Sequence, residues 1–132
     1  RGRATIEVET EGADLKVAAD RFHLTHALDN LVDNALKYSR GKVRIRFSAR
    51  RVAKGIELRV ADNGIGIDRM AQTHIFEKFY RVPTGDRHDV KGFGLGLYYV
   101  RLIARRHGGE ITVESAPGRG STFILTLPDD GR

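Results

Sequence analysis

A chain of 132 residues suffices for one domain with a real core and is short for two, and its 40% hydrophobic and 30% charged residues are ordinary for a globular protein. The absence of cysteine excludes disulfides and thiolate metal sites and is compatible with a reducing cytoplasmic setting, and no apolar run is long enough for a membrane span and nothing resembles a signal peptide. The net charge of +6 raises nucleic-acid binding, but the Lys and Arg residues are scattered, denser only at 40–51 and 101–106, without the interleaved aromatics of a base-stacking surface. A solvated positive surface that favours an acidic partner is the better reading, and no nucleic-acid partner is expected. The chain opens on Arg rather than Met, which points to a fragment of a longer protein.

In chain order, Ile6 and Val8 alternate with Glu7 and Glu9, and Leu15 and Val17 follow the turn-like Gly12-Ala13-Asp14. This predicts a hairpin of two short strands. Asp20 is placed to cap a helix running to about Tyr38, with Leu24, Leu28, Leu31, Val32, Ala35 and Leu36 on its buried side and Gly41 at its end. Two strands of period two follow, through Val43, Ile45, Phe47 and then Ile56, Leu58, Val60, joined by a basic loop. Asp68 is placed to cap a short helix through Ile75-Phe76-Glu77-Lys78-Phe79. Residues 81–91 are polar, contain Pro83 and Gly85, and read as a mobile loop. A helix over 95–106 stops at Gly108-Gly109, and strands over 110–114 and, past the Pro117-Gly118 turn, 121–127 close the chain. The expected fold class is α+β, one domain over 1–132, with a mixed sheet covered on one face by helices.

Three segments carry candidate chemistry. Asn30, Asn34 and Lys37 are spaced i, i+4, i+7 on one helix face, with Tyr38 beside them. An amide oxygen is a hard neutral ligand suited to Mg2+, and Lys37 can offset phosphate charge. Taken alone, that face reads equally well as solvated surface with an Asp33–Lys37 pair. Asp62 ends a buried strand ahead of Gly64-Ile65-Gly66-Ile67. Its carboxylate can accept from an exocyclic amine such as adenine's, while the glycines let the backbone lie against a base. Alone, Asp-Asn-Gly is a plain turn. Last, Gly92-Phe93-Gly94-Leu95-Gly96-Leu97 enters the third helix, where free backbone N–H groups are ready to take phosphate; alone it is a common glycine-rich turn, most of which bind nothing.

Together these segments resemble the ATP-binding catalytic domain of sensor histidine kinases, within the superfamily of gyrases, chaperones, histidine kinases and mismatch-repair proteins. The match runs from Asn30-Leu31-Val32-Asp33-Asn34-Ala35-Leu36-Lys37-Tyr38 through Asp62-Asn63-Gly64-Ile65-Gly66-Ile67 to Ile75-Phe76-Glu77-Lys78-Phe79-Tyr80-Arg81, then Gly92 to Leu97 and Gly118-Arg119-Gly120-Ser121-Thr122-Phe123. The resemblance implies a two-layer α/β sandwich of the Bergerat type, three helices on a mixed five-stranded sheet. It also implies ATP and Mg2+ as cofactors. Asn34 would hold Mg2+, Asn30 would support that site, Lys37 would reach phosphate and Tyr38 would flank the nucleotide. Asp62 would read the adenine amine, with Ser121 or Thr122 helping through a water. A lid at about 80–94 would bring Arg81 or Lys91 to the terminal phosphate, with Phe76 and Phe79 anchoring its base.

The same resemblance bears on the reaction. ATP-hydrolysing members of the superfamily carry a glutamate base where this chain has Asn30, and an amide takes no proton near neutral pH. Histidine kinases place the accepting histidine on a separate helical dimerisation domain. His23, His26, His74, His88 and His107 lack the surrounding phosphoacceptor motif. The expectation is therefore a monomeric domain that binds Mg-ATP and donates the γ-phosphate to a histidine on that other domain, with a response regulator downstream. The alternatives are an ATPase of the same superfamily or a regulatory nucleotide-binding module.

Overall fold

Strand pairing organises the molecule. In the computed structural model, which describes residues 4–10, 21–38, 41–53, 55–78, 80 and 96–128, β1 (Ala4–Thr10) runs parallel to β2 (Val43–Val52). The remaining pairings, of β2 with β3 (Gly55–Asp62), β3 with β5 (Ser121–Leu127) and β5 with β4 (Glu110–Ser115), are antiparallel. Among the described residues this is one mixed sheet of five strands in the order β1-β2-β3-β5-β4.

Alternation sorts the side chains onto two faces. Val43 and Ile45 of β2, Val60 of β3, Ile111 of β4, and Phe123 and Leu125 of β5 are buried on one face. The described helices cover it. Helix α1 (Arg21–Lys37) buries Ala27, Leu31 and Ala35, one turn apart, and packs against α3 (Gly96–Arg106), which buries Val100, Ile103 and Ala104. Between them in sequence lies α2 (Arg69–Gln72), which contributes Ala71, with Ile75 just beyond. The opposite sheet face carries Arg44, Arg46, Arg50, Glu57, Arg59 and Glu114, and none of the described helices packs on it. The expected α+β sandwich with helices over one face of a mixed sheet is thus the observed one.

Several local expectations change. The first strand pairs along its length with β2, from Ala4↔Val43 to Thr10↔Ala49. The second strand of the expected hairpin, at 15–17, lies outside the described residues. The basic loop between β2 and β3 is strand instead. Arg50 and Arg51 continue the ladder opposite Glu57 and Ile56, and Arg50 Nε donates to Glu57 Oε1 at 3.0 Å. Charge on an alternating strand marked its outer face, not its end.

Asp68 does cap α2, accepting from the Ala71 N–H at 2.7 Å, but the helix ends at Gln72. The Thr73 hydroxyl bonds back to Met70 O at 2.8 Å, and the chain continues in turns through His74–Glu77. At the end of α3 the Gly108 N–H donates to Arg105 O at 3.1 Å and the Gly109 N–H to Ala104 O at 2.8 Å, the paired bonds that close a helix C-terminus.

Candidate functional site

The site is built where α1, the end of β3 and the β4–β5 turn meet. Asn30 and Asn34 are half-buried on α1. The Asn30 amide is oriented by its own helix: Nδ2 donates to His26 O at 2.9 Å, which turns Oδ1 the other way. That oxygen faces the first residue of α3. A Cβ on Gly96 would lie 3.2 Å from it, so the glycine lets α3 begin against α1. One turn along, Lys37 pairs with Asp33 at 3.4 Å, the ion pair that the solvated-surface reading of this helix face names.

Past Lys37, the end of the helix is latched to the loop after β3. Tyr38 O accepts the Ile65 N–H at 3.0 Å, and a Cβ on Gly64 would sit 2.6 Å from the same carbonyl. Asp62 is the last residue of β3, in register with Ile45 and Ser121 and therefore on the helix-covered face. Burial pushes its carboxyl above the ordinary aspartate value, opposed by hydrogen bonds from the backbone N–H groups of Gly64, at 2.9 Å, and Ser121. The neighbouring Asn63 has a different task. Its Oδ1 accepts from the Arg44 N–H at 2.8 Å and its Nδ2 donates to Lys42 O at 2.9 Å, which ties the strand end to the start of β2.

The loop Gly64-Ile65-Gly66-Ile67 then lies directly on the β4–β5 turn. Gly66 has φ +78°, and any Cβ there would fall 2.0 Å from Ala116 O, so only glycine fits. Ile65 O accepts the Gly118 N–H at 2.7 Å. Ile67 N–H donates to Ser115 Oγ at 2.8 Å, and Gln72 Nε2 spans from Ile67 O at 2.7 Å to Ser115 O at 2.8 Å. Ser115 Oγ also donates to Gly120 O at 2.7 Å and contacts Ser121 Oγ at 2.8 Å. Ser115, Gln72 and Asn63 were missed as contributors. No local pattern marks them, because each acts through a partner 19 to 48 residues away.

Of the residues singled out by sequence, Asp62, Gly64, Gly66, Ile67 and Ser121 come together around this loop, with Tyr38 latched to it. Asn30, Asn34 and Lys37 line α1, and Gly96 adjoins Asn30. Leu97 packs on the core. Thr122 is in register with Ala61 and Glu114, on the other sheet face from Asp62. Phe76 stacks edge-on against Phe123 at 6.2 Å between ring centroids. Phe79, Arg81, Lys91, Gly92, Phe93, Gly94 and Leu95 lie outside the described residues. Among the described residues no group of three or more His, Cys, Asp or Glu is placed to hold a metal ion. A divalent cation here would take the Asn34 amide oxygen together with ligand and water oxygens, a donor set that suits Mg2+.

Residues 19–131 match the model of the family described as histidine kinase-, DNA gyrase B- and HSP90-like ATPase. The sensor-like histidine kinase SenX3 of Mycobacterium tuberculosis is 44% identical over 126 residues, covering 95% of this chain and 31% of SenX3. The chain thus spans under a third of the length of the curated relatives it matches. Among solved structures, the mycobacterial sensor histidine kinase MprB superposes with a TM-score of 0.83 at 29% identity, over 96% of this chain and 84% of that one. Full-length ShkA in complex with AMPPNP superposes with a TM-score of 0.77 at 25% identity, over 98% of this chain and 27% of that one. The chain belongs to the histidine kinase-, DNA gyrase B- and HSP90-like ATPase family, and it is similar to part of sensor histidine kinases such as SenX3 and MprB.

Proposed function

We propose that this chain is the part of its protein that binds Mg-ATP and presents the γ-phosphate to a histidine on a separate helical dimerisation domain, for relay to a response regulator. The observation that carries this reading is Asp62, a half-buried carboxylate held, among the described residues, by backbone N–H groups, beside a glycine loop packed against the β4–β5 turn. Such a carboxylate keeps lone pairs for an exocyclic amine, and the likeness to ShkA, a protein solved with AMPPNP, supports an adenine nucleotide.

In this reading the backbone of Gly64 to Ile67 lies along the base, and Tyr38 flanks the nucleotide. Asn34 holds Mg2+ and Lys37 reaches phosphate. The chemistry that Mg2+ would supply there, held by Asn34, is an offset of phosphate negative charge. The N-terminus of α3, brought against α1 at Gly96, supplies backbone N–H groups to phosphate. Arg81 or Lys91 completes the charge neutralisation from a lid at about 80–94. Transfer is then a matter of positioning and electrostatics. Asn30 supports transfer over hydrolysis, since it stands where the ATP-hydrolysing members carry a glutamate base. Its amide takes no proton near neutral pH, and one of its two Nδ2 protons is bonded to His26 O.

The test is to supply this chain with [γ-32P]ATP, with and without the separately produced histidine-bearing helical domain of its own protein. Label should appear on that domain, while the chain alone leaves ATP almost intact. Robust hydrolysis by the chain alone, abolished by Asn34→Ala, would instead make it an ATPase.

A further inference from the structure

Ser115 belongs to none of the motifs that define the site, yet it joins the glycine loop to the residue facing Asp62. Its bonds can be assigned by counting protons. A serine hydroxyl has one proton and two lone pairs. Ser115 Oγ accepts the Ile67 N–H at 2.8 Å, and its own proton goes to Gly120 O at 2.7 Å, a carbonyl that can only accept. No proton remains for the 2.8 Å contact with Ser121 Oγ, so Ser121 is the donor there. The Ser121 hydroxyl is therefore turned inward, and what its oxygen has left is its two lone pairs.

The Ser121 backbone N–H is also occupied, by Asp62. Ser121 is buried, 7% exposed, which leaves its hydroxyl little freedom to find another partner. Asp62 and Ser121 stand in register on the same sheet face, so a carboxylate and a hydroxyl whose proton is already given away present acceptors side by side.

We propose that Ser115 is a specificity-determining positioning residue: by fixing the direction of the Ser121 hydroxyl, it makes this pair of side chains acceptor-only. The pair then suits a purine with an amine at position six, met directly or through a water, and disfavours one with a carbonyl there. The inference rests on the reading of Asp62 as the adenine contact. It adds that discrimination is shared between a charge and a hydroxyl of enforced polarity. If Ser115 lost its oxygen, Ser121 could rotate and donate outward to a six-position carbonyl.

The experiment compares ATP with inosine triphosphate, which replaces the six-position amine by a carbonyl, using calorimetry on this chain. Ser115→Ala should reduce the ATP-to-inosine-triphosphate affinity ratio about tenfold, the scale of one inverted hydrogen bond. Ser115→Thr, which keeps the hydroxyl, should retain the wild-type ratio. A purely structural role predicts something else. The Ile67 N–H would lose its partner, both affinities would fall together, and an unchanged ratio would overturn the proposal. Ser121→Ala removes the outward acceptor without touching Ser115 and should lower the ratio by a similar factor. It decides the matter alone if Ser115→Ala does not fold, and a wild-type ratio in Ser121→Ala also overturns the proposal. The prior reading of Asp62 fails separately, if the wild-type chain itself binds both nucleotides equally.

Discussion

Two carboxylates on one strand, Glu57 and Asp62, show what separates the working face of this sheet from its outer face. Glu57 accepts from Arg59 Nε at 2.8 Å and from Arg50 Nε at 3.0 Å, and the Arg59 hydrogen bond leads in holding its carboxyl below the ordinary glutamate value. Asp62, five residues on and on the opposite face, has no arginine to answer it in the described structure. Burial drives its carboxyl the other way, moderated by two backbone N–H groups. The first charge is satisfied permanently by its neighbours and has nothing left to offer a ligand. The second is kept under-satisfied at the end of a strand, which is how a protein holds a recognition group in readiness.

The sharpest way to break this contrast is to neutralise Asp62. Asp62→Asn should weaken ATP binding about 100-fold, or ~3 kcal/mol, because it removes a charged acceptor from a desolvated contact. Calorimetry beside a circular dichroism spectrum checks both the loss and the retained fold. The pH dependence has a defined sign. Since the Asp62 carboxyl is raised, acidification protonates it earlier than an exposed aspartate, so wild-type ATP affinity should fall as pH drops through that raised value while the Asn variant stays flat. A wild-type affinity that holds down to the ordinary aspartate range would separate Asp62 from binding.

A smaller effect is expected at the other end of the site. If the amide oxygen serves the metal rather than the base, as proposed, Asn34→Ala should weaken binding about tenfold in Mg2+ and hardly at all in EDTA. Equal losses in both buffers would move Mg2+ away from Asn34.

What the sequence disclosed follows the same division. Asn30, Asn34 and Lys37 could be grouped because helical spacing is local, and Asp62 could be placed because the alternation of Ile56, Leu58 and Val60 runs straight into it. The parallel partner of β1 was hidden: Ile6 and Val8 announce a strand but not its neighbour, and Gly12-Ala13-Asp14 suggested a hairpin. Arg50 and Arg51 looked like loop because the glutamate that receives Arg50 lies on the next strand. Thr122 was an equal candidate beside Ser121 until register put the two on opposite faces. Ser115, which sets the polarity of Ser121, acts only through contacts that the closed fold creates.

The smallest expected effect tests the comparison from the outer face. Glu57→Gln keeps the shape and an acceptor oxygen but withdraws the charge that serves Arg50 and Arg59. Ion pairs this near the surface contribute about 1 kcal/mol or less, so the melting temperature should drop only slightly. The pH dependence should run opposite in origin to that of Asp62. A carboxyl lowered by folding adds stability above its unfolded value, and that stability is lost as pH falls through the lowered folded value. The gap between wild type and Glu57→Gln should therefore be full at neutral pH, close in acid, and narrow in high salt. ATP affinity should not move, because Glu57 lies across the sheet from Asp62 and its changes stay among arginines on that face. A Glu57→Gln variant that loses nucleotide affinity in step with its stability would mean that the faces are coupled, and that the under-satisfied state of Asp62 is set by the whole sheet rather than by its own two N–H donors.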